Sequence, residues 1–240
     1  MLGFRGRKLP QCVNMNDVSV RTIARFLGAA LLTTCAVPNA AISMPSIAAA
    51  APCPDIEVVF ARGSDDPPGL GVIGQTFVDS LRPQLVGKSV AVYAVDYPAT
   101  SKSSELASSA SAGAKDASAY VQSTAANCSD TRMVLGGYSL GAAVIDLITA
   151  AGAPPAGFVP APMPPEVARH VAAVAVFGNP WDKSLRAPLT AISPLYGAKT
   201  IDLCNTGDPI CSDGTDSSAH VGYVQSGMVA QAANFVAGRI

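Results

Sequence analysis

Short apolar runs alternate with longer mixed stretches from residue 53 onward. The run at 56–61 (Ile-Glu-Val-Val-Phe-Ala) predicts a strand that ends at Arg62-Gly63-Ser64. Similar runs at 90–95, 133–135, 171–177 and 200–203 predict four more. Each is short, rich in β-branched or aromatic residues, and bounded by turn formers. The intervening patterns predict helices over 72–85, 106–126, 140–151 and 221–237. Strands that alternate with helices, and that are nearly continuously apolar, predict a parallel sheet covered on both faces. Two segments break the rhythm. Residues 152–166 contain six prolines and two glycines, which predicts a loop. Residues 178–197 carry Gly178, Pro180, Pro188, Pro194 and Gly197, a second irregular excursion. No internal repeat and no second domain is legible.

The first fifty residues follow a different pattern. Five basic residues (Arg5, Arg7, Lys8, Arg21, Arg25) and one acid (Asp17) precede an apolar run at 26–37 and the tract Ala48-Ala49-Ala50-Ala51-Pro52. That order is expected of a secretory signal, so 1–51 is read as a leader and 52–240 as one domain. Met15 is an alternative start, because 15–25 alone makes a normal basic region. A twelve-residue apolar run is too short to span a membrane. Leu32-Thr33-Thr34-Cys35 faintly resembles a lipidation box, but Thr34 fits poorly before the cysteine.

The whole chain holds 16 basic and 17 acidic residues; without the leader, 11 and 16 remain, a net of −5. No basic excess exists to neutralise phosphates, which argues against nucleic acid as a partner. Of the six cysteines, Cys12 and Cys35 fall in the leader; Cys53, Cys128, Cys204 and Cys211 remain. An even number in an exported domain predicts disulfides, and four cysteines allow three pairings. Cys204 and Cys211 are close enough in sequence to close a tight loop; Cys53 and Cys128 would then pair. A metal site is disfavoured, since there is no CxxC and only two histidines, His170 and His220.

Gly137-Tyr138-Ser139-Leu140-Gly141 is a G-x-S-x-G pentapeptide with an apolar strand before it and a helical stretch after it. A serine on so sharp a strand-to-helix turn needs flanking residues without side chains, and the following helix aims its N–H groups at the hydroxyl. Ser139 is therefore the candidate nucleophile. Its base is expected to be His220, just before the last predicted helix. His170 lies at the entrance of the fourth strand, the wrong end for a site of this class, and is read as an exposed surface residue. Asp208 is the candidate acid, because a bridge between Cys204 and Cys211, with Pro209, would hold its carboxylate still. Asp202, Asp213 and Asp216 are the competitors. The order Ser, Asp, His is that of α/β-hydrolases. Leu140 N–H and Ser64 are the candidate oxyanion donors. Asp65 and Asp66, next along, read as solvated loop charges.

Taken together, these blocks resemble the cutinase family of serine esterases, particularly its mycobacterial members. The matching elements are Cys-Pro-Asp at 53–55, Phe-Ala-Arg-Gly-Ser at 60–64, Gly-Gly-Tyr-Ser-Leu-Gly at 136–141, Phe-Gly-Asn-Pro at 177–180, Cys-Asn-Thr-Gly-Asp-Pro-Ile-Cys at 204–211, His220, and Tyr-Val-Gln-Ser-Gly-Met at 223–228. The resemblance implies a three-layer α/β/α sandwich of the α/β-hydrolase type with a central five-stranded parallel sheet. It implies disulfides Cys53–Cys128 and Cys204–Cys211, a triad of Ser139, Asp208 and His220, and an oxyanion hole of Ser64 and Leu140. The expected activity is hydrolysis of carboxylic esters of short to medium acyl chains through an acyl-enzyme, with no metal or cofactor. The expected product is a secreted monomer with peripheral contact to lipid or the cell envelope. Two rival readings use the same residues. One is a lipase or phospholipase working at lipid interfaces, with the 152–166 loop as a flap beside the site. The other, of a different class, is an inactive surface protein that binds lipid or a partner.

Overall fold

The computed structural model describes residues 52–240. The expected leader, its start and its cleavage site lie outside the described residues. Five parallel strands form one sheet in the order β2-β1-β3-β4-β5. They are β1 (Ile56–Ala61), β2 (Val90–Ala94), β3 (Arg132–Tyr138), β4 (Val171–Phe177) and β5 (Thr200–Leu203). The central strands β1 and β4 are buried along their whole length, and β3 is buried from Met133 onward. That burial explains why those strands read as unbroken apolar runs rather than alternating ones.

Side chains alternate between the two faces all the same. Val59, Leu135, Val174 and Val176 pack beneath α2 (Leu106–Asn127) and α3 (Leu140–Thr149). Val58, Phe60, Val134, Ala173, Ala175 and Phe177 pack on the other face against α1 (Gly71–Leu81) and α7 (Met228–Ala237). These are the three layers. The irregular segment 178–197 contains two short helices, α4 (Pro180–Ser184) and α5 (Leu189–Ile192); α6 (Ser217–Val221) precedes α7.

Two predicted helices change on folding, and one of the two roles open to the 152–166 loop is settled. The helix expected over 72–85 ends at Leu81 and tightens into a 3-10 turn at Arg82–Gln84, where Pro83 removes an amide donor. The helix expected over 221–237 is two helices. Gly222 ends α6, and Gly227, at φ +78°, starts α7 from a left-handed conformation. The Pro-rich 152–166 segment is a connection and not a flap over Ser139. Ala161 N–H bonds Leu147 O and Met163 N–H bonds Ile148 O at the far end of α3, and Phe158 packs edge-on against Trp181 with centroids 6.0 Å apart.

His170 is a further correction. It is 8% exposed, not a surface residue. Its Nδ1 lies 3.1 Å from Ser129 O, and Arg169 Nε donates to its Nε2 at 3.2 Å. A histidine closing a 3-10 turn against the end of α2 is covered by its own neighbours, which hydrophobic patterning does not reveal.

Candidate active site

The chain runs from β1 outward to β2, then returns to β3 on the other side of β1. The carboxyl ends of β1 and β3 therefore flank the topological switch point, where sites in open α/β sheets collect. Ser139 sits there, between β3 and α3, at φ 56°, ψ −118°. A non-glycine residue at positive φ is strained, and the surroundings enforce it. Ser139 N–H is anchored to Phe177 O at 2.8 Å. A Cβ on Gly137 would strike the main chain of Gly141, and one on Gly141 would strike the carbonyls of Ala61 and Arg62. The end of β1 thus lies directly on the first turn of α3, a packing open only to glycine.

His220 Nε2 lies 2.9 Å from Ser139 Oγ, and its Nδ1 lies 2.8 Å from Asp208 Oδ2. Asp208 is fully buried, yet its carboxylate has three donors. Ile210 N–H reaches Oδ1 at 2.8 Å; Tyr223 hydroxyl and His220 share Oδ2. Because this carboxylate accepts at Nδ1, His220 presents the lone pair of Nε2 to the serine hydroxyl. Cys204 and Cys211 are bonded across the Asp208 loop, with Cα atoms 5.8 Å apart; Cys53 and Cys128 are bonded with Cα atoms 5.5 Å apart. Leu140 is the first residue of α3, where helix geometry leaves its N–H without an internal partner. Ser64 lines a cleft of about 280 Å³ together with Tyr138 and Val221, the neighbours of Ser139 and His220.

A family model described as Cutinase matches residues 52–240. The chain belongs to the cutinase family. Among curated relatives, Phospholipase Culp4 of Mycobacterium tuberculosis is 49% identical over 222 residues, covering 92% of this chain and 93% of its own. Carboxylesterase Culp1 of Mycobacterium bovis is 49% identical over 231 residues, covering 92% of this chain and 97% of its own. Among solved structures, the catalytic core of acetyl xylan esterase from Trichoderma reesei superposes with a TM-score of 0.69 at 26% identity, over 79% of this chain and 100% of its own. Trichoderma reesei cutinase in complex with a phosphonate inhibitor gives 0.60 at 30% identity, over 78% and 77%. The five-stranded α/β-hydrolase-type sandwich is thus common to this chain and its structural neighbours.

Several residues around Ser139, His220 and Asp208 carry no signal in the sequence pattern. Tyr138, the variable residue before the serine, stacks on the His220 ring with centroids 5.1 Å apart and donates its hydroxyl to His220 O at 2.7 Å. Tyr223 is buried beneath Asp208, where burial first, and the Asp208 charge after it, push its phenol far above the ordinary range. Its oxygen also accepts Asn205 N–H at 3.0 Å. Hydrophobic patterning reads Tyr223 as core; only its place in the 223–228 block singles it out. At Gly178, φ is +59° and a Cβ would lie 2.9 Å from His220 Cε1.

Of the competing acids, Asp202 faces the other way. Its Oδ2 accepts Leu189 N–H at 2.8 Å and Asn179 Nδ2 at 3.5 Å. Asp213 pairs with Arg186 at 2.8 Å on the surface, and Asp216 caps α6 through Ser218 N–H. Asp202 instead belongs to a buried group with Asp146 of α3 and Asp182 of α4. Both carboxyl oxygens of Asp146, and Oδ1 of Asp182 and Asp202, lack a donor. Burial raises all three: Asp146 well above the carboxylate range and Asp182 to about 8, with the neighbouring Asp202 charge adding to both.

Proposed function

We propose that this chain is a secreted serine carboxylesterase that hydrolyses esters of short to medium acyl chains through an acyl-enzyme. The observation that carries the reading is the continuous relay from Ser139 Oγ through His220 to Asp208, at 2.9 and 2.8 Å. His220 Nε2 takes the Ser139 proton as Oγ attacks the ester carbonyl. Asp208 stabilises the imidazolium that forms and holds the ring in one tautomer. Leu140 N–H and Ser64 receive the oxyanion, aided by the amino end of α3. His220 then passes its proton to the departing alcohol, and a water, deprotonated in turn by His220, cleaves the acyl-serine. No step in this scheme calls on a metal or organic cofactor.

The relatives' names support the reaction class, carboxylesterase for one and phospholipase for another. Export, with 1–51 as the leader, rests on the leader's composition and on two disulfides, which persist in oxidising compartments. No helix among the described residues is long and apolar enough to cross a membrane.

Ser139→Ala should lower kcat on a short-chain aryl ester by about four orders of magnitude or more while thermal unfolding stays unchanged. A folded variant that keeps the original rate would refute the assignment. A fluorophosphonate probe should label wild type at Ser139, whereas an inactive binding protein would stay unlabelled. A second reading, action at a lipid interface, draws on the exposed Val72 and Val221 beside the site, 68% and 67% exposed. Rates on soluble esters against long-chain micelles separate the two.

A further inference from the structure

The cleft that Ser64, Tyr138 and Val221 share is completed by Val72, Ile73 and one charged residue, Asp66. Asp66 is not the solvated loop charge that the sequence predicts. Its Oδ2 accepts Gly63 N–H at 3.0 Å, and its main-chain oxygen accepts Arg62 Nε at 2.9 Å. The carboxylate is seated between two glycines. A Cβ on Gly71 would collide with it, and one on Gly63 would meet Oδ2 at 3.2 Å and the Tyr138 ring at 2.6 Å. None of the ion pairs among the described residues includes Asp66. Arg62 is buried and spends its guanidinium on the carbonyls of Asp66, Val95 and Tyr97. A carboxylate with no direct ion-pair partner among the described residues therefore lines a cleft with no cation in its wall. Beyond Val72 the surface continues as an uncharged trough of about 350 Å³ over Pro67, Pro68, Gly71, Gln75 and Thr76.

Resting on the esterase reading above, we propose that Asp66 sets the charge selectivity of the site. The cleft accepts uncharged esters and turns away esters that carry an anionic group on the chain entering it. Like charges about 6 Å apart in a partly wet cleft repel by enough to cost roughly tenfold in kcat/KM. Salt screens part of that cost, because the cleft is open to solvent.

A matched pair isolates the charge: ethyl hexanoate and monoethyl adipate share the ester and the six-carbon acyl chain, and differ by one terminal carboxylate. Asp66→Asn keeps an acceptor for Gly63 N–H and nearly the same volume while removing the charge. The neutral-over-anionic ratio of kcat/KM should fall about tenfold in Asp66→Asn, and should shrink in wild type between 10 mM and 500 mM salt. A ratio unchanged by the substitution overturns the proposal, including the case where both rates drop together, which would make Asp66 a purely structural acceptor. If wild type hydrolyses neither ester, the esterase reading fails separately. Binding of hexanamide and hexanoate, followed by NMR shifts at Val72 and Val221, then decides the charge question without turnover. Equal affinity for the two in wild type would overturn it.

Discussion

Ser139 is held in a conformation it would not choose, and the residues that enforce it have no side chain to give way. Tyr223 is the less obvious case. Its hydroxyl joins Asn205 N–H to Asp208 Oδ2, so one phenol both fixes the loop and completes the shell of the acid. Tyr223→Phe removes that bridge and strands the Asn205 amide. Stability should fall by about 1–3 kcal/mol in urea unfolding, and kcat on a short ester by about tenfold, with KM little changed. Gly178→Ala should act through the imidazole, because the new methyl meets His220 at 2.9 Å and φ +59° is unfavourable for alanine. Its kcat on a short ester should fall by up to about a hundredfold as the His220 ring is displaced; an unchanged kcat would show that the neighbouring backbone absorbs the methyl.

Among the elements, the two disulfides separate stability from chemistry. Cys53–Cys128 closes a loop with a sequence separation of 75 residues, before the amino ends of β1 and β3 and so at the opposite edge of the sheet from Ser139. Opening it by paired serine substitutions should cost about 4 kcal/mol of stability and leave kcat near wild type. Cys204–Cys211 spans only 7 residues, and its loss should cost only about 2 kcal/mol. Asp208 lies inside that small loop, however, so kcat should fall more than tenfold while the fold survives. Equal effects of the two on kcat would show that the Asp208 loop is held by other contacts. Lys183 Nζ, bonded to Pro209 O at 3.0 Å, is a further tie on that loop, beside Tyr223. At this scale the pattern of apolar runs located every strand, but helix ends were lost wherever glycine or proline acted late. The split of the last helix turned on Gly222, which closes α6, and on Gly227, whose left-handed conformation opens α7. The split leaves His220 near the end of a short helix rather than before a long one.

For the whole molecule, the buried carboxyl group of Asp146, Asp182 and Asp202 makes stability depend on pH in an unusual sense. Their folded-state values are raised, so the native protein holds protons that the unfolded chain releases. The contribution is fully present below the unfolded value near 4 and is lost as pH rises through the folded values, about 8 for Asp182. The urea midpoint should therefore decline from pH 5 to pH 9, and Asp146→Asn should flatten the decline. A midpoint that rises over that range would show the group to be ionised in the native state. This cluster was illegible beforehand. In the sequence Asp146 is one polar position in the apolar stretch 140–151, and Asp202 a competitor of Asp208.

What the sequence determined by itself was local: the strand and helix periods, the strand–glycine–serine–glycine turn, and the short spacing between Cys204 and Cys211. Each depends on neighbours a few residues apart, and backbone sterics act at that range. The tertiary structure alone decided which carboxylate faces His220, which is buried without a donor, and which lines the cleft. Those outcomes depend on burial and on partners dozens of residues away; an aspartate's chemistry is set by what the fold packs against it.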